Sequence, residues 1–252
     1  LLTYGYSVVS PGSGRLACGD EGAGRLPEWG VVREYLFKML ATSDLAGQSI
    51  LVTAGPTREH YDPARFISNR SSGKMGYALA RTAFRRGAKV TLISGPTSLE
   101  SPAGVKCIRV ESAEDMYTAV MKEAKSASVI VKAAAVSDFR SAETHEQKVK
   151  KQGAELLMEL RPNRDILKEL GTKIKTERQV LVGFAAESTN IKEEGRRKLK
   201  EKNLDLIAVN DISGTQTGFG VDTNQLLLID GEKETLLPHT SKEKTADMLW
   251  DY

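Results

Sequence analysis

The chain has 252 residues, of which 40% are hydrophobic and 27% are charged, a composition typical of a globular protein with a sizeable core. Its net charge of +3 is too small to indicate a nucleic-acid or membrane partner, and no apolar stretch approaches the roughly 18 residues of a membrane span. Cys18 and Cys107 stand far apart in different contexts, so we expect no disulfide framework and a reducing, cytoplasmic location.

Residues 1–46 differ in kind from the rest of the chain. The sequence begins at Leu1 with nothing like a signal peptide, and we expect it to be a piece of a longer protein. Glycines recur through 11–14 and 18–25, too often for the interior of a helix or strand, and they predict a mobile flap. One helix follows, from Trp29 to about Leu40. This segment cannot build a core of its own, so we assign the folded domain to residues 47–252.

The remainder alternates apolar runs with helical patterns. Strands are predicted at 49–55, 88–94, 105–110, 128–135, 179–185, 204–209 and 225–229. Helices are predicted at 74–86, 113–125, 164–175 and 191–202, with another after Ser241. This order predicts an α/β fold of three layers, a mostly parallel Rossmann-like sheet with helices on both faces. Ligands of such sheets bind beyond the carboxyl ends of the strands.

The segment 67–76 carries two serines, two glycines and a lysine between a strand and a helix. Free N–H groups at a helix start attract anions, and Gly73 and Gly76 would let the backbone approach them closely. The segment is not a Walker loop, which would have glycine at Ser68, and no dinucleotide fingerprint follows the first strand of the sheet. By itself the pattern is equally compatible with an ordinary capped helix.

Other charged residues are ambiguous by themselves. The run Lys148-Val149-Lys150-Lys151 could be a solvated face, but it follows an apolar strand that ends in small residues and Asp138, which favours Lys148 as a phosphate ligand. The spacing of Lys198 and Lys202 on one helix favours a solvated face. The three histidines lack the spacing of metal ligands and no Ser-His-Asp set is legible, so we predict electrostatic chemistry without a protein metal site.

Several motifs resemble the phosphopantothenoylcysteine synthetases, which form the ligase half of bacterial bifunctional enzymes of coenzyme A biosynthesis. The matching segments are 53–59, 62–76, 134–138, 148–151, 183–187 and 202–205. Residues 16–25 resemble the substrate flap of the partner decarboxylase, a flavoprotein that binds FMN. The resemblance therefore implies a decarboxylase remnant at 1–46 and a synthetase domain at 47–252.

The resemblance also implies an activity and its residues. CTP activates 4'-phosphopantothenate as an acyl-cytidylate, and L-cysteine then displaces CMP, with Mg²⁺ brought by the nucleotide. Asn69 and Lys148 are the implied catalytic residues, and Cys18 is the proton donor of the decarboxylase, inert in this fragment. Nucleotide contacts are implied for Gly55, Ser71, Ser72, Gly73, Gly76, Lys132, Ala133, Ala134, Asp138, Lys148, Arg164, Asp165, Ile166, Leu167, Phe184, Lys198 and Lys202. Substrate contacts are implied for Arg65, Asn69, Ala134, Ala135 and Asp138. The resemblance also implies a homodimer, in which Arg65 reaches the substrate site of the other subunit, and a higher oligomer in the intact protein.

Two rival interpretations belong to other classes. Alternating strands and glycine loops also suit an NADPH-dependent reductase, but Ser94-Gly95-Pro96 stands where that class needs an acidic residue. A non-catalytic flavoprotein subunit that kept only the fold is the third interpretation.

Overall fold

The computed structural model describes residues 1–4, 6–150, 157–212, 218 and 220–252. Its strands, in chain order, are β1 (Gly12–Arg15), β2 (Glu21–Arg25), β3 (Ser49–Ala54), β4 (Arg58–Asp62), β5 (Arg65–Ser68), β6 (Lys89–Ser94), β7 (Lys106–Arg109), β8 (Val129–Lys132), β9 (Phe139–Ser141), β10 (Leu160–Pro162), β11 (Val180–Glu187), β12 (Leu206–Asp211), β13 (Thr223–Asn224), β14 (Leu226–Ile229), β15 (Glu234–Leu236) and β16 (Thr240–Ser241). Its α-helices are α1 (Trp29–Leu40), α2 (Lys74–Arg85), α3 (Ala113–Glu123), α4 (Ile166–Glu169), α5 (Ile191–Glu201) and α6 (Lys242–Asp251).

A central sheet of eight strands organises the described residues, in the order β15-β14-β12-β11-β8-β3-β6-β7. The strands from β12 to β7 run parallel, whereas β14 and β15 are antiparallel. Strand β3 lies between β6 and β8 with both faces covered, which is why its sequence is an almost unbroken apolar run. The predicted mostly parallel sheet is confirmed.

Two hydrophobic cores cover the two faces of this sheet. One core contains Tyr77 and Leu79 from α2 and Ala246 and Leu249 from α6. The core on the other face contains Met116 and Val120 from α3, with Leu167 from α4 among the side chains packed there. The helices therefore form a layer on each face, as predicted. Within the described residues no helix is long and apolar enough to cross a membrane.

The first 46 residues correct one expectation. The glycine-rich stretches, predicted to hold too many glycines for the interior of a helix or strand, form β1 and β2, an antiparallel hairpin. Gly14 and Gly24 adopt φ of 147° and 148°, a backbone conformation that glycine reaches without strain, so the glycines permit this pairing. Helix α1 is confirmed, and it packs on α2 through an edge contact between the rings of Tyr35 and Phe84, whose centroids are 5.5 Å apart.

Two further differences lie in segments that connect elements of the central sheet. The predicted helix 164–175 is a single α-helical turn, α4, followed by a π-helical segment, Leu170–Ile174. The backbone at Gly171 approaches the carbonyl oxygen of Lys202 so closely that a Cβ atom would lie 1.9 Å from it. The polar stretch 55–69, predicted as a loop, contains the antiparallel pair β4 and β5.

Candidate functional site

Loops from the carboxyl ends of the parallel strands surround a cavity of about 380 Å³. Most of the predicted site residues line it: Asn69, Ser71, Ser72, Gly73, Gly76, Lys132, Ala133, Ala134, Ala135, Asp138, Leu167, Phe184, Lys198 and Lys202. These residues follow β5 and β8, end β8, lie within β11, or belong to the start of α2, to α4 and to the end of α5. Residues that are distant in sequence thus converge on one cavity.

The start of α2 forms one wall of this cavity. Its N-cap residue, Gly73, has a φ of 78° and donates its N–H to the hydroxyl of Ser71 at 3.3 Å. Gly73 has no side chain to cap the first turn, so the N–H groups at this helix start can meet an anion. Gly76 serves packing, because a Cβ atom there would lie 2.5 Å from Cβ of Ala54 on β3. Close approach of α2 to the sheet therefore explains this glycine without reference to a ligand.

Asn69 joins two loops of the site. Its side-chain nitrogen donates to the carbonyl oxygens of Ala135 at 3.0 Å and Val136 at 3.1 Å. The amide nitrogen of this implied catalytic residue is thus engaged by the backbone. Asn69 therefore fixes the loop after β5 against the loop after β8.

The residues at the end of β8 combine small size with positive charge. The N–H of Ala134 donates to the hydroxyl of Thr53 at 3.1 Å, and the N–H of Ala135 donates to the carbonyl of Gly55 at 2.9 Å. Lys132 donates its ammonium to the carbonyl of Ala134 at 3.1 Å. Burial, reinforced by the charge of Lys202, lowers the pKa of Lys132 to about 8. This wall thus carries a cation whose charge changes near pH 8.

Lys198 and Lys202 line the cavity, which overturns the solvated face that their spacing favours. The ammonium of Lys198 pairs with Glu187 at the end of β11, and that of Lys202 lies 2.9 Å from a carboxylate oxygen of Asp165. Burial raises the pKa of Asp165, but hydrogen bonds from Lys202 and from the backbone N–H of Lys168 outweigh it and hold that pKa below its usual range. Ion pairs with these two carboxylates therefore hold both ammonium groups at the cavity wall.

The other predicted site residues do not line the cavity: Cys18, Gly55, Arg65, Lys148, Arg164, Asp165 and Ile166. Cys18 is exposed in the turn between β1 and β2, and Gly55 lies behind the wall beside Gly95. Ile166 is buried in the core, and Asp165 caps α4. The guanidinium of Arg164 lies over the ring of Tyr117, 4.6 Å from its centroid.

Lys148 and Arg65 belong to a neighbouring cluster. Lys148 is exposed, and the adjacent Val149 is held by its backbone, donating to Asp62 at 3.1 Å and accepting from Arg65 at 3.0 Å. Arg65 also pairs with Asp62, whose carboxylate is fully buried and has a strongly lowered pKa because of the hydrogen bond from Arg65. The structure therefore does not bring the predicted catalytic lysine onto the cavity wall. Lys151 lies outside the described residues.

Sequence reasoning missed Asn210 and Lys242, which line the cavity from β12 and α6. The ammonium of Lys242 is buried and donates to the carbonyls of Gly218 at 3.2 Å, Val221 and Thr223 at 3.3 Å. A lysine at a helix start opposes the helix dipole, and this was the available sequence signal for Lys242. Asn210 could have been found from its place at the end of a predicted strand.

A family comparison covers the residues of this fold. Residues 45–252 match the model of the DNA/pantothenate metabolism flavoprotein C-terminal domain. This chain belongs to that family. The resemblance that the motifs indicate is thereby confirmed at the level of the family, and the matched residues include the whole cavity wall.

Known members of the family are similar along most of this chain. The coenzyme A biosynthesis bifunctional protein CoaBC of Bacillus subtilis (strain 168) is 47% identical over 242 residues, which cover 94% of this chain and 59% of that protein. The CoaBC protein of Escherichia coli (strain K12) is 42% identical over 255 residues, which cover 100% and 63%. The crystal structure of the C-terminal domain of a CoaBC protein has a TM-score of 0.71 at 40% identity, covering 84% of this chain and 95% of that one. The chain thus spans about three fifths of the length of these curated relatives.

Proposed function

We propose that residues 47–252 are a phosphopantothenate–cysteine ligase that joins 4'-phosphopantothenate to L-cysteine with CTP, in coenzyme A biosynthesis. The supporting observation is the convergence of the α2 start with Lys132, Lys198 and Lys202 on one cavity. Cations and backbone N–H groups in this arrangement suit a nucleoside triphosphate. The names of the CoaBC relatives support the pathway.

The proposed reaction has two steps. The substrate carboxylate attacks the α-phosphorus of CTP and forms an acyl-cytidylate while pyrophosphate leaves. The amine of cysteine then attacks the acyl carbon, CMP leaves with the bonding electron pair, and an amide forms. Both the carboxylate and the triphosphate are anionic, so the lysines that line the cavity would lower the repulsion between them. Small side chains at Ala134 and Ala135 leave room for the substrate beside Asn69 and Asp138.

The expected Mg²⁺ and FMN are not assigned to residues of this chain in these steps. Among the described residues no group of three or more His, Cys, Asp or Glu side chains is placed to hold a metal ion, so Mg²⁺ would arrive with the nucleotide. Cys18, the expected decarboxylase residue, lies in an exposed hairpin turn, and we derive no flavin chemistry from it.

The test is CTP-dependent release of pyrophosphate with phosphopantothenate, followed by amide formation when cysteine is added. If Lys148 has the catalytic role that the motif resemblance implies, Lys148→Gln should abolish pyrophosphate release. Asn69→Ala should permit acyl-cytidylate formation but slow its turnover by about 100-fold or more. Lys89→Gln, which makes the same charge change at an exposed position where β6 begins, should behave like the wild type. Normal amide formation in both site variants would refute the assigned roles.

Titration with NADPH and CTP separates this proposal from a reductase. We expect CTP to bind and NADPH not to bind. For the proposed homodimer, mixing an Arg65→Ala subunit with an Asn69→Ala subunit should restore about one quarter to one half of the activity, because one of the two shared sites in each mixed dimer is intact. No recovery on mixing would argue against a site shared between subunits.

A further inference from the structure

Asn210 carries an unpaired polar atom on the cavity wall. The residue ends the apolar run of β12 and is 9% exposed. Its carboxamide oxygen is buried and has no hydrogen-bond partner among the described residues. Buried acceptors are almost always paired in folded proteins, so an exception that faces a cavity indicates a donor supplied from outside the chain.

The other two asparagines on this wall differ in this respect. Asn69 is exposed, so its side-chain oxygen can meet water, and its nitrogen donates to two backbone carbonyls. Asn224 accepts the N–H of Gln225 at 3.1 Å with its side-chain oxygen and donates its nitrogen to the sulfur of Met75. Neither Asn69 nor Asn224 is thus left with a buried oxygen that lacks a partner.

The neighbours of Asn210 indicate which part of a ligand it would meet. In the parallel register of β11 and β12, Asn210 lies beside Ala186 and Ala208 lies beside Phe184, so Asn210, Ala186 and Phe184 share one face of the sheet. All three line the cavity. A phosphate offers only acceptors, and these would repel the oxygen of Asn210. An aromatic ring beside an unpaired acceptor instead suits a nucleoside, which has a flat base and several donors.

We propose that Asn210 accepts a hydrogen bond from an N–H or O–H group on the nucleoside half of the bound nucleotide, and that it thereby contributes to nucleotide specificity. This inference rests on the proposed function only in requiring that a nucleotide binds in the cavity. The donor would be the exocyclic amine of cytosine or a ribose hydroxyl, and ligands that lack each group distinguish these sources.

The experiment measures the dissociation constants of four nucleotides by calorimetry, for the wild type and for Asn210→Leu. The nucleotides are CTP, UTP (without the exocyclic amine), 2'-deoxy-CTP and 3'-deoxy-CTP. We expect the substitution to weaken CTP binding about three- to tenfold, the range of one neutral hydrogen bond, and to have no effect on the nucleotide that lacks the donor. An equal loss of affinity for all four nucleotides would overturn the proposal. An unchanged affinity for all four would overturn it as well.

Two variants guard against a purely structural effect. Asn210→Asp keeps an acceptor. Its added charge should weaken the binding of all four nucleotides by a similar factor, so the ratios of their dissociation constants should remain those of the wild type. Asn224→Leu removes a buried asparagine of the same wall, and its effect should be equal for all four. If the wild type binds the nucleotides but Asn210→Asp changes the ratios of their dissociation constants, only the proposed role of Asn210 is refuted. If the wild type binds none of them, the proposed function fails as well.

Discussion

The ammonium of Lys74 lies 2.6 Å from a carboxylate oxygen of Asp222. Lys74 begins α2 and also donates to the carbonyl of Gly220 at 3.0 Å, while Lys242, which begins α6, holds carbonyls of the same short stretch. Burial and then the charge of Lys74 lower the pKa of Lys242. Two helix starts and two lysines therefore concentrate positive charge at one side of the cavity, and Asp222 offsets part of it.

Substituting Asp222 should strengthen the binding of polyphosphates. Asp222→Asn releases the ammonium of Lys74, so we expect nucleoside triphosphates to bind about two- to fivefold more tightly, in line with the small energy of an exposed ion pair. Lys74→Met should have the opposite effect. Calorimetric titrations at low and high salt measure both changes in affinity. The gain in affinity of Asp222→Asn should shrink as the salt concentration rises.

The control is Glu232→Gln, which removes the same charge from an exposed position in the turn between β14 and β15. It should leave triphosphate affinity unchanged. A weaker affinity in Asp222→Asn would mean that this carboxylate serves the ligand and does not compete with it.

The strands and helices around the cavity could be predicted because each is encoded locally. Strand β3 is an apolar run, and α2 has a buried apolar face that ends at Arg85. Strand β4 could not be predicted, because its sequence Arg-Glu-His-Tyr-Asp resembles a solvated loop. Its acidic residues are nevertheless buried, since Glu59 accepts the N–H of Ala113 at 2.9 Å and Asp62 accepts several N–H groups. Such pairing depends on contacts distant in sequence.

The same limit applies to the site. The loops that form it could be predicted because the carboxyl ends of parallel strands share one edge of the sheet. The places of Lys202 and Lys242 depend on how α5 and α6 pack, and spacing along one helix does not contain that information. Lys148 was assigned by its motif, and in the structure it is exposed away from the cavity wall.

Nucleotide binding should depend on pH through Lys132. Its pKa in the folded protein is about 8, below the ordinary value of 10.5, so the ammonium is charged below that pH and loses its charge above it. We expect triphosphate affinity to be constant below about pH 7 and to fall as pH rises through 8. Because a bound phosphate favours the charged form, binding at pH 8 should take up about half a proton per site.

Calorimetry in two buffers of different ionisation enthalpy measures that uptake at a single pH. Lys132→Arg provides the matched variant, since arginine stays charged throughout this range. The uptake near pH 8 should disappear in this variant. Uptake that persists unchanged would assign the titration to another group.

Replacing Gly76 with alanine should destabilise the fold. The new Cβ atom would lie 2.5 Å from Cβ of Ala54 and 2.9 Å from the carbonyl oxygen of Thr53. We expect Gly76→Ala to cost about 1–3 kcal/mol of unfolding free energy in urea titrations, as overpacked cores do. Adding Ala54→Gly removes the closer of the two contacts, so the double variant should recover part of the loss.

The control for this pair is Gly30→Ala in α1, where a Cβ atom would meet nothing within 4 Å. Alanine is the better helix former, so this variant should be more stable by about 0.5–1 kcal/mol. If Gly76→Ala proved equally harmless, the glycine would be required by a ligand and not by packing.

A buried carboxylate should contribute to the contact between residues 1–46 and the domain, beside the ring contact of Tyr35 with Phe84. Glu34 on α1 is 5% exposed, and its carboxylate accepts two hydrogen bonds from Arg85 on α2, at 2.7 and 3.0 Å. Glu34→Gln keeps the shape of this side chain but removes its charge. We therefore expect the free energy of unfolding to fall by about 1–3 kcal/mol and proteolysis within α1 to become faster. Glu28→Gln, at an exposed position just before α1, should change stability by less than about 0.5 kcal/mol. Arg85 also pairs with Glu243 on α6. Cleavage confined to α1 in Glu34→Gln would therefore show that α2 and α6 stay packed together without the contact of Glu34. Cleavage in α6 as well would show that Glu34 belongs to one cooperative unit with both helices.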